Sequence, residues 1–180
     1  MSGKEMEYTP QNVTDAYGPA GRTLLKLSKM VAVAGGLVFV ALVVMSIISI
    51  VGRKLFSVVV PGDFEVLQMG AAFASATFFA YCHMIHGDVK VDFFTQYMGP
   101  RKVAVLDAVG SLLIGLFGAL LAWRTAVGAA SLKETHETSM ILGWPVWVAQ
   151  ALMVPGFILM AIVGFYMCGH LLRLASGRIQ

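Results

Sequence analysis

The sequence predicts an all-α integral membrane protein: four transmembrane helices with an interfacial segment between helices 2 and 3. Three observations predict it. Hydrophobic residues make up 58% of the 180-residue chain and charged residues 13%, whereas about a quarter of a soluble domain is charged. Long stretches carry no Asp, Glu, Lys or Arg, as from Val66 to Gly87, and about 20 such residues span a bilayer as a helix. Within that stretch small residues recur every fourth position, as Gly70/Ala74, Ala71/Ser75 and Ala72/Ala76/Ala80. That spacing lets helices approach closely in lipid.

Taken in order, residues 1–25 read as a polar cytoplasmic tail and 26–175 as a four-helix membrane domain, with spans at about 30–52, 65–85, 103–123 and 144–172. No apolar core lies near the start, so a cleavable signal peptide is not expected. Arg22, Lys26 and Lys29 introduce the first span, which is uncharged until Arg53-Lys54. It is rich in Val and Ile, but strands rarely exceed about ten residues. A loop with Ser57, Pro61 and Gly62 leads to the second span, opened by Asp63 and Glu65. Negative charge at a helix N-terminus is stabilised there. Residues 86–102 mix Asp88, Lys90, Asp92, Arg101 and Lys102 with Val89, Val91, Phe93, Phe94, Tyr97 and Met98. Such a segment is expected to lie in the interface, with Pro100 marking its end.

The third span carries a small-residue stripe of Ser111, Gly115 and Ala119. Asp107 near its start and Arg124 beyond its end are expected at headgroup depth. Residues 124–143 read as a polar loop holding Lys133, Glu134, His136 and Glu137. Trp144, Pro145 and Trp147 open the fourth span as an aromatic belt, and Pro155-Gly156 should kink it. Nine Lys and Arg fall on one side of the spans (Lys4, Arg22, Lys26, Lys29, Lys90, Arg101, Lys102, Arg173, Arg178) and four on the other (Arg53, Lys54, Arg124, Lys133). The positive-inside rule then places both termini in the cytoplasm.

The net charge of +3 and pI near 9.0 could suit nucleic acid. No basic stripe with interleaved aromatics accompanies them, so no nucleic-acid partner is expected; the lipid bilayer is. There is no Ser-His-Asp arrangement, no phosphate loop and no pair of intramembrane carboxylates. The chain is read as no enzyme, with no catalytic, cofactor-binding or metal residues and no cofactor. His83, His86, Asp88 and Asp92 resemble a metal cluster, but zinc sites need further closely spaced ligands. They are read as interfacial residues whose polar tips favour the membrane boundary. His83 and His170 fall on the same side, so the alternative function is a haem-binding membrane anchor of a redox enzyme, without a C-x-x-C-H motif. Cys82 and Cys168 lie in apolar segments without C-x-x-C spacing and read as small buried hydrophobes. Spans almost empty of ionisable groups argue that nothing is conducted through the chain itself.

Several features occur in a particular order. Glu65 opens the second span, and Val89-Lys90-Val91-Asp92 follows it. Thr138-Ser139-Met140-Ile141-Leu142-Gly143-Trp144-Pro145-Val146-Trp147 precedes Pro155-Gly156. Across about residues 25–172 the chain resembles the small membrane subunit, the DctQ family, of tripartite ATP-independent periplasmic (TRAP) transporters. One departure is at Asp88, where the family often has His. The resemblance implies a three-part importer in the bacterial inner membrane. A periplasmic solute-binding protein captures an organic acid, such as a C4-dicarboxylate or a related acid. A large TRAP membrane subunit carries it inward by sodium symport. The small subunit is a scaffold that braces the large one and helps dock the binding protein. On that reading Arg53, Asp63, Glu65, Gly70, Ala74, Gly115, Arg124, Glu134 and Glu137 are candidates for the partner interface.

Overall fold

The computed structural model describes residues 17–57, 61–87 and 100–175. They form four helices: α1 (Pro19–Phe56), α2 (Asp63–Met84), α3 (Pro100–Glu134) and α4 (Val146–Ala175). Among the described residues there is no strand, only an isolated bridge between Thr138 and Pro145. α1, Val103–Glu134 of α3 and Val146–Arg173 of α4 are each long and apolar enough to cross a membrane. α2 is not in that set. Its Gln68, Ser75, Thr77, Tyr81 and His83 dilute its hydropathy, and it lies between α1 and α4, where protein covers much of its surface. Of the segment expected at the interface, residues 88–99 lie outside the described residues.

Two helices extend beyond the expected spans. α1 begins at Pro19, where the missing N–H of proline would have been unpaired in any case. Residues 19–25, read above as tail, are therefore its first turns, and Tyr17 just before them is buried. Ser57 ends α1 in the left-handed conformation, its N–H bonded to the Gly52 carbonyl, a common helix stop. α3 continues to Glu134, so Arg124–Glu134, expected as loop, is helix. Its alanines, leucine, lysine and glutamate are good helix formers, and its Ala129 is still packed.

The buried positions show how the helices meet. In α1, Gly21, Ser28, Gly35, Leu42 and Ser49 are all buried and stand seven residues apart, a seam period that keeps one face against a neighbour. It meets α2 where a Cβ on Gly35 would strike Thr77 and one on Gly70 would strike Leu42. In α3 the buried positions are Ala108, Ser111, Gly115, Gly118, Ala122 and Ala129; in α4 they include Phe157, Ala161, Gly164, Cys168 and Leu171. Both sets step by threes and fours, the pattern of helices packed at a shallow angle. Of the expected stripe, Ser111 and Gly115 lie on this seam and Ala119 is only partly buried. A strict four-residue step drifts off a helix face, whereas alternating threes and fours hold it.

α4 has a second packed face: Leu159, Val163 and Met167 cluster with Ala80 and Met84 of α2 and with Tyr17. Ala76 of α2 and Ala122 of α3 meet at Phe157. The α3–α4 contact is the most extensive; α2 packs on both α1 and α4, and α1 barely touches α4. The helices thus form an open succession, α1 to α2 to α4 to α3. The outer faces of α1 (Met30, Leu37, Val40) and α3 (Leu113, Leu116) remain exposed and apolar, as a bilayer requires.

Candidate functional site

The turn into α2, Pro61-Gly62-Asp63-Phe64-Glu65, is where three parts of the chain meet. Gly62 has φ 74°, a left-handed conformation that glycine adopts without penalty. A Cβ there would also strike Leu142 from the α3–α4 loop. The position therefore demands glycine for two reasons.

Asp63 faces α1. Its Oδ2 accepts a short hydrogen bond from the Ser49 hydroxyl and one from Arg53 Nη2 at 3.1 Å. Its Oδ1 accepts from the Phe64 amide at 2.8 Å. The carboxyl is held below the ordinary aspartate range. The Ser49 bond contributes most, partial burial opposes it, and the Phe64 amide and Arg53 charge add to the lowering.

Glu65 faces the other way. Its Oε1 accepts from the Ile141 amide at 2.9 Å and its Oε2 from the Leu142 amide at 3.2 Å. A carboxylate received by successive loop amides is an anion in a backbone nest. The loop is further closed on itself. The Ser139 amide donates to the Trp144 carbonyl at 2.8 Å, the Trp144 amide to Ser139 Oγ at 3.2 Å, and Gly143 turns at φ 66°. The result is a fixed loop tip that presents Met140, fully exposed, and Ile141, 63% exposed. Behind it Lys133 Nζ stands 5.3 Å from the Trp147 ring centroid, a cation–π contact between the ends of α3 and α4.

The nine interface candidates separate into three groups. Asp63 and Glu65 engage the turn just described, with Arg53 on Asp63. Gly70, Ala74 and Gly115 face other helices of this same chain: Gly70 against Leu42, Ala74 fully buried with its carbonyl beside Gly35, and Gly115 against the α4 backbone at Gly164 and Phe165. Arg124, Glu134 and Glu137 are exposed, as is Arg53.

At the opposite end of α2 stands a residue the sequence reading did not single out. The Tyr17 hydroxyl donates to the Met84 carbonyl at 3.0 Å and lies 3.3 Å from His86 Nε2. Its ring meets Tyr166 and His170 edge-on, at 6.1 and 5.3 Å. The signal was an aromatic in a polar stretch, immediately before Gly18-Pro19. The His170 ring stacks on Tyr166 and His83 is buried; the haem reading gains no support from these packing roles. Among the described residues no three His, Cys, Asp or Glu side chains converge as metal ligands; Asp88 and Asp92 lie outside those residues. Cys82 is partly buried and Cys168 is buried.

In the turn the carboxylates fasten helix to helix and helix to loop. The family model for the DctQ component of tripartite ATP-independent periplasmic transporters matches residues 42–174. This chain belongs to the DctQ family. The matched region runs from the middle of α1 through the α2 turn and the α3–α4 loop to the end of α4. Neither a curated protein nor a solved structure matches the chain. Membership makes it a multi-pass membrane component of a TRAP transporter, a transporter family and not an enzyme family.

Proposed function

We propose that this chain is the small scaffold subunit of a sodium-driven, binding-protein-dependent importer of organic acids. It braces the large transport subunit and helps to dock the periplasmic binding protein. One observation carries the reading: the carboxylates of the α2 turn hold helices and loop in place. Asp63 is engaged by Ser49 and Arg53, and Glu65 by two loop amides. A substrate acid would need cations or donors that converge on an open site. Here the donors are engaged by the protein's own carboxylates.

In this proposal α2 also crosses the membrane, as the second of four spans, over about residues 65–85. Its register supports that depth, because Gly70 and Thr77 lie opposite Leu42 and Gly35 in the apolar run of α1. The membrane domain covers residues 26–175 and the segment between α2 and α3 lies in the interface. Both termini are cytoplasmic in the bacterial inner membrane. Single cysteines replacing Ser57 or Ser131 should then react with an impermeant external reagent, and one replacing Ser2 should not; the reverse pattern overturns the orientation. The exposed charges Arg53, Arg124, Glu134 and Glu137 would steer association, as rim charges do.

The deciding experiment places the large subunit and binding protein in liposomes under a sodium gradient, with and without this chain. Uptake should require it. Full uptake without it removes the scaffold role. Saturable binding of the acid to this chain alone removes the claim that substrate is held elsewhere.

A further inference from the structure

Two of the grooves that run along the helices differ in chemistry. One, of about 590 Å³, lies between α1, α2 and α4, with Leu42, Phe73 and Leu152 among its walls. Its lining is apolar, so lipid chains can fill it without leaving a polar group unpaired. The other, of about 620 Å³, lies between α2, α3 and α4 and is lined by Gln68, Thr125 and Gln150 beneath Glu65, Ser139 and Met140. The Gln150 carboxamide lies over bare backbone at Gly128, where a Cβ would come within 2.5 Å of its nitrogen. Among the described residues nothing hydrogen-bonds to the carboxamide of Gln68 or of Gln150.

An amide side chain carries two donors and an acceptor. Facing lipid, those groups have no partner, and burying them unpaired is costly. Helices in membranes use such residues to hold one another. The cleft also continues down to Ala72 of α2 and Met153 of α4, two turns below Glu65 and Val146. At 1.5 Å per residue that is about 10 Å, too deep for a soluble protein docking from above. At its rim Met140 is fully exposed, a flexible apolar contact on a loop that Glu65 holds still.

We propose that this cleft receives a transmembrane helix of the large membrane subunit, whose polar groups hydrogen-bond the carboxamides of Gln68 and Gln150 while its apolar surface meets Met140. This rests on the scaffold reading above and assigns it a face.

The test uses the whole transporter in its native membrane. A photoreactive benzophenone amino acid replaces Gln68 or Gln150 in one set of strains, and Leu113 or Leu116, on the exposed face of α3, in another. Light should join the first pair to the large subunit and the second pair to lipid. In parallel, Gln68→Leu and Gln150→Leu should each weaken co-purification with the large subunit about threefold, and together about eightfold, the typical worth of interhelical hydrogen bonds in membranes. The isolated double variant should unfold at the same temperature as the parent chain or higher, because a misfolded chain would lose both properties. Adducts from positions 68 and 150 with lipid alone or with the binding protein overturn the inference. So does unchanged co-purification of the double variant. If the unmodified chain does not co-purify with a large subunit at all, the scaffold reading itself has failed, which is a separable result.

Discussion

The two helical hairpins are held together by different physics. In α3–α4 the contact is backbone on backbone. A Cβ on Gly164 would come within 2.5 Å of the Gly115 backbone, and one on Gly118 within 2.9 Å of the Ala161 nitrogen. In α1–α2 glycine instead meets side chain, at Gly35/Thr77 and Gly70/Leu42, and a polar latch of Ser49, Arg53 and Asp63 closes one end. Lipid gives helices little hydrophobic reason to associate, so packing or polar contacts must supply it. The α3–α4 hairpin therefore depends on two backbones staying bare. The α1–α2 hairpin depends on groups that can rotate or titrate, and so has room to adjust.

The largest effect should follow from Gly164→Ala. The methyl would press on backbone, which cannot turn aside, and overpacking of this kind costs about 1–3 kcal/mol. Thermal unfolding of the purified chain reads the loss; Gly110→Ala on the same hairpin, where nothing lies within 4 Å, should leave the midpoint unchanged or raise it. Equal midpoints for the two variants would erase the distinction between the hairpins.

A smaller effect is expected from Gly35→Ala. The added methyl meets the Thr77 side chain, whose hydroxyl donates to the Ala74 carbonyl at 2.6 Å. Thr77 can rotate at the cost of that bond, about 1 kcal/mol. The double variant Gly35→Ala with Thr77→Ala should recover most of the loss, a coupling that a double-mutant cycle measures directly. Strict additivity would show that the two positions do not press on each other. No such rescue exists for Gly164, where the obstacle is main chain.

The smallest effect is a pH dependence at the α1–α2 latch. Asp63 is held below its ordinary range. Its ionised form therefore contributes stability that is present above the unfolded-state value, and that stability is lost as pH falls through the folded-state value. Acidifying from neutral to below about pH 4 should expose the buried Ser49 to proteolysis or labelling more in the parent chain than in Asp63→Asn, which has already lost the ionisable group. Identical acid profiles in the two proteins would remove Asp63 from the latch.

Sequence alone determined the class, because composition is a property of each segment by itself. A helix buried in lipid must be apolar and uncharged whatever its neighbours are, so the apolar cores of α1, α3 and α4 could be read directly. The small residues that permit close approach were legible for the same reason, as was the acidic opening of α2. The seven-residue seam of α1, from Gly21 to Ser49, was also present in the letters; a search for four-residue spacing passes over it. Tertiary structure alone decided the partners. Glu65 and Ile141 are 76 positions apart, and no local rule links a carboxylate to the amides of a distant loop. It also decided that Gly115 faces Gly164, that the α3 helix outlasts its apolar stretch, and that Tyr17 belongs to the core. Burial on one helix face is set by which helix lies opposite, and that choice is made only when all four pack.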